Sequence, residues 1–230
     1  LHSWADTNGT SYLSIGTEQN LSYADGNANS VEISPQFYTY NFAVSCKTVS
    51  GSATVTIDDT NSNISSYDGI NILIPISVGG IILSGYYDAI ALNENSYQVV
   101  ARNIIGLKTP ATSTVTPGGG TVPLFTTTAG NSNVQVTLAD HGYTAGSTFA
   151  ILVPVTTGGL SLYGNYIVLA APSVTANDFY ISAENSATSS GSLSMNGGAA
   201  RIVYYVGKQN IPPPSGFGEP GLFGEGGFGT

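Results

Sequence analysis

Charged side chains are scarce in this sequence, and cations are the scarcest of them. Lys, Arg, Asp and Glu make up 8% of the 230 residues, against roughly 25% in an ordinary soluble domain. Five Lys and Arg stand against 14 Asp and Glu, which gives a net charge of −9. Because no cluster of cations can displace the counterions of phosphates, we do not expect specific binding of DNA or RNA. The charge still permits an acidic wall past which DNA slides without sticking.

Cysteine and long apolar runs are also scarce. Cys46 is the only cysteine, which excludes an internal disulfide and a multi-cysteine zinc site. We expect it to act as a small apolar residue on a strand. No apolar run reaches the roughly 18 residues that span a bilayer, and no basic start followed by an apolar run indicates a signal peptide. Because the sequence starts at Leu1, we expect a fragment or processed product of a longer polypeptide.

Ser, Thr, Asn and Gly supply most of the polarity, while 41% of the residues are apolar. This apolar content, in a chain of this length, is enough for two or three small domains with cores of their own. Small polar residues and glycine suit short strands and tight turns, whereas helices would need more Leu, Glu, Lys, Arg and Ala. The composition therefore predicts an all-β chain.

One stretch of the sequence occurs twice, as Ile70–Ala101 and again as Phe149–Ala183. At an offset of 79 the matched pairs are Pro75 with Pro154, Gly79-Gly80 with Gly158-Gly159, Gly85 with Gly164, and Tyr87 with Tyr166. Further on, Tyr97 falls on Phe179 and the offset becomes 82. We therefore predict three extra residues in a loop around Pro172 of the second copy.

An upstream match extends the repeat. Val55–Ile57 resembles Val136–Leu138 at an offset of 81, which predicts that two residues are lost in the turn that follows. Connections tolerate length changes that strands do not, so gaps confined to turns are typical of a duplicated β-domain. The sequence predicts two tandem copies of one small domain.

The pair Asp140-His141 raises the possibility of acid/base catalysis. A catalytic dyad would need a nucleophile or metal partner, and His2 is the only other imidazole. At the corresponding turn of the first copy the sequence comparison finds Asp59-Thr60, without a histidine. We therefore interpret His141 as a turn histidine beside a turn aspartate.

Calcium is the metal that the carboxylates of Asp58, Asp59 and Asp68 would favour, because it prefers carboxylate and carbonyl oxygens. The residues do not have the DxDxDG type of spacing. No metal-binding, cofactor-binding or catalytic residue is predicted.

Two other motifs have the pattern of a functional site. Gly216–Gly221 and Gly224–Gly229 match GxGxxG, but Pro212–Pro214 precede them and no helix is predicted to follow, so a dinucleotide site is not expected. Sequons for glycosylation begin at Asn8, Asn20 and Asn63, and chance accounts for them in a chain so rich in Asn, Ser and Thr.

The 14 Tyr and eight Phe raise the possibility of sugar binding, since aromatic faces stack on sugars. Tyr87, Tyr97, Tyr166 and Phe179 nevertheless recur at matched repeat positions, as core residues would. We interpret most of them as packing residues.

Short motifs mark the two ends of the chain. At the start, Trp4–Thr17 ends in IGT, Asn20–Tyr23 has the pattern L-Y, and Val31–Pro35 ends in ISP. At the end, Gly216–Gly218, Gly221–Gly224 and Gly227–Thr230 form a Gly-aromatic-Gly run. The first set resembles the blade hairpin of the tail nozzle, or tail tubular, proteins of short-tailed bacteriophages, and the second set is similar to the run before their next blade.

The middle of the chain is similar to small β-domains often inserted in phage structural proteins. Val136–Gly142 carries the HG turn of such domains, and Asn177–Ser182 carries their D-F-x-I closing strand. The resemblance implies part of a β-propeller body that forms a ring under the portal, with inserted β-domains. It implies no cofactor and no catalytic residue.

Five segments follow from the repeat and the resemblance. They are a blade-like hairpin segment at 1–40, with short strands beginning at Ser11, Leu21 and Ser30, the first repeat at 41–108, a Thr/Pro/Gly-rich linker at 109–124, the second repeat at 125–207, and a Gly/Phe-rich tail at 208–230. Each repeat is expected to be a small sandwich or barrel. The tail is too rich in glycine to form a core alone, so we expect it to lie along another surface or to remain mobile.

The expected function is that of a non-enzymatic structural component of a phage virion tail, in a homo-oligomeric ring with other tail and portal proteins. Such a component acts in assembly and in forming the conduit for DNA ejection. The alternative is a virion or secreted adhesin whose tandem β-domains bind glycans. A hydrolase, which would need a pocket with clustered carboxylates, has the least support in the sequence.

Overall fold

A computed structural model of the chain describes residues 2–16, 21–27, 30–32, 36–40, 45–60, 62, 64, 68–103 and 107–206. The chain divides into two compact units, Leu1–Tyr38 with Tyr205–Thr230, and Thr39–Tyr204. Within the described residues every regular element is a β-strand, except for a 3₁₀ turn at Met195–Gly198. The predicted all-β class is confirmed.

Within its described residues, the first unit contains a four-stranded antiparallel sheet. Its strands lie in chain order and are β1 His2–Ala5, β2 Ser11–Gly16, β3 Leu21–Asp25 and β4 Ser30–Glu32. The β1–β2 turn forms because the Asp6 carboxylate accepts hydrogen bonds from the backbone N–H groups of Asn8 and Thr10, at 2.9 and 2.8 Å. The sequence predicted three strands here, and β1, which pairs Trp4 with Tyr12, is the fourth.

The strands that follow belong mainly to the second unit, although β5 and β19 run across its boundaries. They are β5 Gln36–Tyr40, β6 Ser45–Thr48, β7 Thr54–Asp58, β8 Gly69–Val78, β9 Ile81–Asp88, β10 Ile90–Asn93, β11 Ser96–Val100, β12 Val115–Gly119, β13 Leu124–Thr127, β14 Asn133–Thr137, β15 Thr148–Thr157, β16 Leu160–Ile167, β17 Asp178–Ser182, β18 Gly191–Ser194 and β19 Ile202–Val206.

Two sheets of the second unit have the same strand order. The first is β11-β7-β6-β12, with β10 added beside β11, and the other is β17-β14-β13-β18. Each is accompanied by a long hairpin, β8–β9 or β15–β16, with a register shift at the corresponding place. We call residues 45–119 the first copy and residues 124–194 the second copy. The shared order and register support the predicted duplication.

The second copy buries its core between its sheet and its hairpin. On β14, Val134 and Val136 are buried and the alternate residues are half-buried, because successive side chains of a strand point to opposite faces. The ring of Phe149 on β15 has its centroid 6.4 Å from that of Phe125 on β13 and 5.0 Å from that of Phe179 on β17. Aromatic contacts between sheet and hairpin thus close a sandwich-like module.

The cross-strand register shows that the predicted offset of 81 is wrong. Ile57 lies opposite Tyr97 in the first copy, and Val136 lies opposite Phe179 in the second. Ile57 therefore corresponds to Val136, at the same offset of 79 as the hairpins, and no residues are lost in the turn. The sequence comparison was misled because both copies carry a similar Val-Thr-aliphatic stretch.

The predicted three-residue insertion agrees with the backbone hydrogen bonds. The N–H of Ala89 donates to Asp68 and the N–H of Val168 donates to Ser147, at the common offset of 79. Further along the chain, Tyr97 corresponds to Phe179, and the offset has become 82. The extra residues therefore lie in the connection between β16 and β17, which contains Pro172.

Residues 109–124 are not the linker that their composition predicts. Val115–Gly119 is strand β12, and it pairs with β6 so that Val115 faces Thr48 and Gly119 faces Cys46. Upstream, the N–H of Ala111 donates to the carbonyl of Ser52 at 2.8 Å. The segment completes the sheet of the first copy, as β18 completes that of the second. Both copies lie within one compact unit, so the five predicted segments are not five separate units.

Candidate functional site

The three carboxylates considered for calcium have separate roles. Asp58 forms an ion pair with Lys47 at 2.6 Å, with both side chains about a third exposed. Asp59 is buried and accepts a hydrogen bond from the hydroxyl of Tyr204, and Asp68 is also buried. Among the described residues, no group of three or more His, Cys, Asp and Glu side chains could hold a metal ion.

His141 is a core residue. The predicted turn is present, and two of its residues are left-handed, Asp140 with φ of 51° and Gly142 with φ of 66°. The imidazole, however, is only 6% exposed, and its Nδ1 accepts a hydrogen bond from the N–H of Tyr143 at 2.9 Å. Asp140 is exposed. At the common offset of 79, the residue that corresponds to His141 is the buried Ser62 rather than Asp59 or Thr60.

The imidazole belongs to an aromatic cluster. Its centroid lies 4.8 Å from that of Phe179 and 5.7 Å from that of Tyr143, and the Tyr143 ring lies 5.5 Å from Phe149. Burial lowers the pKa of His141, although the nearby backbone and carboxylate oxygens of Asp178 act in the opposite direction. Burial also raises the pKa of Tyr143. His141 is therefore a neutral packing residue at pH 7, shielded from any substrate in solution.

A buried polar network distinguishes the first copy from the second. The hydroxyl of Tyr204 on β19 donates to Asp59, and the hydroxyl of Tyr97 lies 3.0 Å from that of Tyr204. In the second copy, the positions of Asp59 and Tyr97 are held by Leu138 and Phe179. The sequence did not reveal this network, because its members lie far apart along the chain.

The matched aromatic residues are packed as predicted. Tyr87, Tyr97 and Phe179 are at most 8% exposed, and Tyr166 packs against the core of the second copy. The two phenol groups of the hairpins are both tied to the backbone, since Tyr87 accepts from the N–H of Ser84 and Tyr166 from that of Tyr163. These rings stabilise the hairpins.

The exposed tyrosines of the two hairpins do not occupy equivalent places. Tyr86 is 54% exposed and Tyr163 is 65% exposed, but the counterpart of Tyr86 is Asn165 and that of Tyr163 is Ser84. A tandem sugar-binding site would present exposed rings at the same place on both copies. The described hairpins do not have that arrangement.

Cys46 is on strand β6 and completely buried, as expected of a small apolar residue. Burial raises the pKa of its thiol to about 12. The thiolate is the nucleophilic form, so a buried thiol with such a pKa is chemically inert at neutral pH.

One cleft of about 230 Å³ is lined by residues of the first copy and by residues that flank the second copy along the chain. Its lining residues are small or apolar and are Ser45, Ile76, Gly118, Gly120, Val122, Gly198 and Ala200. None of them is ionisable. The cleft therefore has neither an acid nor a base for catalysis.

Aromatic side chains form a row on one face of the first unit's sheet, which sequence analysis did not anticipate. Trp4 lies opposite Tyr12 with ring centroids 5.5 Å apart, His2 stacks at 6.3 Å from Trp4, and Tyr12 meets Tyr23 edge-on at 5.7 Å. The sequence signal for this row is the spacing of His2 and Trp4, because side chains two residues apart lie on the same face of a strand.

Several sequence motifs lie outside the described residues. They are both GxGxxG matches, Gly216–Gly221 and Gly224–Gly229, the rest of the 208–230 tail, and the sequons at Asn20 and Asn63. Asn8 lies in the exposed β1–β2 turn.

No protein-family model, curated protein or solved structure matches the chain. In the part of the chain that the structure describes, no helix is long and apolar enough to cross a membrane. Function therefore has to be argued from the residues and their arrangement.

Proposed function

We propose that the chain is a non-enzymatic structural component of a bacteriophage tail, of the nozzle or tail tubular type. The observation that carries the proposal is the sheet β1–β4, because four antiparallel strands in chain order are the blade unit of a β-propeller. This sheet includes Ile15-Gly16 of the IGT motif and Leu21–Tyr23 of the L-Y motif, which resemble the phage proteins.

The aromatic row of this sheet supports a place among other blades. Trp4, Tyr12 and Tyr23 are all half-buried within the unit, so much of their surface is left for another layer. In a propeller each sheet packs its faces against neighbouring sheets, where aromatic rings contribute a large buried area. The role of the row is assembly of the propeller body.

The two β-modules support a building role rather than catalysis. Their ionisable candidates are engaged in structure: Asp58 in an ion pair, Asp59 in a buried hydrogen bond and His141 in an aromatic cluster. Modules of this kind decorate or brace a ring. The proposed assembly is a homo-oligomeric ring in the virion tail, in contact with other tail and portal proteins.

The charge of the chain suits a DNA conduit. With five Lys and Arg against 14 Asp and Glu, a surface that faces DNA repels the phosphates and lets the genome pass during ejection. A ring in which these carboxylates point away from the lumen would remove this part of the proposal.

The glycan-binding alternative has weaker support. It requires exposed aromatic rings at one place on both modules, and Tyr86 and Tyr163 are not equivalent. Binding of the purified chain to a glycan array, reduced by Tyr163→Ala, would favour the adhesin.

Immunogold electron microscopy of phage particles that carry this chain tests the tail proposal. Antibodies against the second unit are expected to label the tail at the portal-proximal nozzle, and mass spectrometry of purified particles is expected to find the chain in stoichiometric amounts. Labelling confined to the capsid, or absence of the chain from purified particles, would contradict the proposal.

A further inference from the structure

The outer face of strand β15 is uncovered, whereas the corresponding face of β8 is covered within the second unit. Leu73, Pro75 and Ser77 of β8 correspond to Leu152, Pro154 and Thr156 of β15 at the common offset of 79. The two strands therefore provide an internal comparison of one surface in two environments.

The second copy and the strand that follows it cover the outer face of β8. Leu73 packs against the core of the second copy, and its N–H donates to the carbonyl of Arg201 at 2.9 Å. Ser77 donates through its hydroxyl to the carbonyl of Ala139 at 2.5 Å and exchanges backbone hydrogen bonds with Thr121. Pro75 between them is buried.

On β15 the same positions face outward. Leu152 is 47% exposed, and Pro154 and Thr156 are exposed as well. On β15 exposed and buried residues alternate strictly from Leu152 to Thr157, whereas every residue of β8 is buried or half-buried. The module thus has a surface that is covered in one copy and open in the other.

The neighbouring strand β16 makes this open surface more apolar. Tyr163 and Ile167 are 65% and 57% exposed, at positions where the first copy has the exposed polar residues Ser84 and Asp88. The exposed Tyr86 of the first copy differs, because its ring lies over Gly69 of the neighbouring strand. At the positions of Tyr163 and Ile167 the second copy is apolar where the first is polar, which is the pattern expected of a surface that a partner covers.

One edge of β15 is also unpaired in the part of the chain that the structure describes. β8 lies between β9 and β19, whereas β15 pairs with β16 alone in the described part of the chain. Neither Thr148–Thr157 nor Leu160–Ile167 contains a charged residue. Edge strands of monomeric proteins are commonly protected by charged side chains. Proline at 154 does not prevent pairing, since β8 pairs with β19 although it contains Pro75.

We infer that this surface, formed by Leu152, Pro154, Thr156, Tyr163 and Ile167 and here called the docking face, binds a second copy of this chain. The partner is argued from the molecule itself, because the one occupant that this module surface accepts in the structure is another copy of the module with its following strand. The inference rests on the homo-oligomeric part of the proposed function and assigns one of its contact surfaces.

Sedimentation velocity of the full chain over a wide concentration range tests the docking face. The wild-type chain is expected to associate reversibly, and Leu152→Glu with Tyr163→Glu is expected to raise the dissociation constant roughly tenfold or more, because a charge placed in an apolar interface is desolvated without a partner. Leu92→Glu is the matched control, since Leu92 is a leucine on a β-strand with 50% exposure and lies outside the docking face. Circular dichroism checks that each variant is folded.

Three results would overturn the inference. They are a wild-type chain that stays monomeric at all concentrations, equal weakening by Leu92→Glu, and association that survives the double change. A chain truncated after Val206 tests whether the Gly/Phe tail of a neighbouring chain occupies the docking face instead of a module. Loss of association in this truncated chain would assign the face to the tail. Immunogold labelling is independent of these results, so a failed docking face and a failed tail assignment are distinguishable.

Discussion

Tyr204 donates a hydrogen bond to the carboxylate of Asp59, and both side chains are buried. Since the hydroxyl hydrogen of Tyr204 points to Asp59, its oxygen accepts from the hydroxyl of Tyr97, 3.0 Å away. This chain of hydrogen bonds connects the last described strand, β19, to the sheet of the first copy. The second copy has apolar residues at the positions of Asp59 and Tyr97, so the network is specific to the copy that receives β19.

Tyr204→Phe tests how much this network stabilises the second unit. Removing one partner of a buried hydrogen bond costs about 1–3 kcal/mol, so we expect the free energy of unfolding to fall by roughly 2 kcal/mol. Urea denaturation followed by circular dichroism measures the change. Tyr163→Phe is the control, because Tyr163 is 65% exposed and its hydroxyl is expected to contribute almost nothing.

A second variant separates the hydrogen bonds from the packing. Asp59→Leu and Tyr97→Phe give the first copy the apolar residues of the second, and Tyr204→Phe removes the remaining hydroxyl. Because the three polar groups are removed together, none of them loses one of the other two as a partner, so this variant is expected to be more stable than Tyr204→Phe alone. A triple variant that loses as much as the sum of its single changes would contradict this account.

His141 is expected to make stability depend on pH. Burial lowers the pKa of the folded imidazole below its ordinary value of 6.5, so the unfolded chain binds a proton at a higher pH than the folded chain does. The contribution of neutral His141 is therefore fully present above pH 6.5 and decreases as the pH falls towards the pKa of the folded state. Protonation at Nδ1 would also remove the hydrogen bond from Tyr143.

Urea denaturation of the wild type and of His141→Phe, repeated between neutral and acidic pH, measures this contribution. The carboxylates are common to both proteins, so the difference between their curves isolates the imidazole. We expect the stability of the wild type to fall more steeply below pH 6.5 than that of the variant. Parallel curves would show that His141 is not buried as a neutral residue.

Gly158 and its counterpart Gly79 are expected to be intolerant of a side chain. Both have a left-handed backbone, with φ of 57° and 58°, and a Cβ at Gly158 would lie only 2.7 Å from the carbonyl oxygen of Ser189. Gly130 is also left-handed, with φ of 79°, but a Cβ there would meet nothing within 4 Å. Left-handed strain alone costs about 1–2 kcal/mol.

Thermal denaturation of Gly158→Ala, Gly79→Ala and Gly130→Ala separates backbone strain from the clash. Gly130→Ala is expected to lose about 1 kcal/mol by strain alone. The other two are expected to lose more, and by similar amounts, because their surroundings are the same in the two copies. Equal losses at all three positions would show that the close contact has no energetic effect.

Leu73 and Leu152 are expected to differ in stability measurements, although they are equivalent in the repeat. Leu73→Ala removes contacts with the core of the second copy and is expected to cost roughly 1–2 kcal/mol, below the range of a fully buried leucine. Leu152→Ala changes a surface residue and is expected to stay within about 0.5 kcal/mol in dilute solution. Denaturation at low concentration keeps self-association out of the comparison.

The duplication could be predicted because its landmarks have local causes. Gly79 and Gly158 adopt a backbone that other residues rarely adopt, and the matched prolines mark the same irregular place in each hairpin. The upstream register could not be fixed in this way, because strand residues of similar type match at several offsets. Pairing of Ile57 with Tyr97, and of Val136 with Phe179, decided it.

The sequence by itself determined the all-β class, the repeat and the absence of cation clusters, since these follow from composition and from short-range patterns. Only the tertiary structure decided that Val115–Gly119 is a strand, that His141 is buried, and that Asp59 meets Tyr204. The physical reason is the same in each case. Strand β6 beside Val115–Gly119, Phe179 against His141 and Tyr204 at Asp59 all lie tens of residues or more away along the chain, and local sequence carries no record of which distant strand will lie beside it.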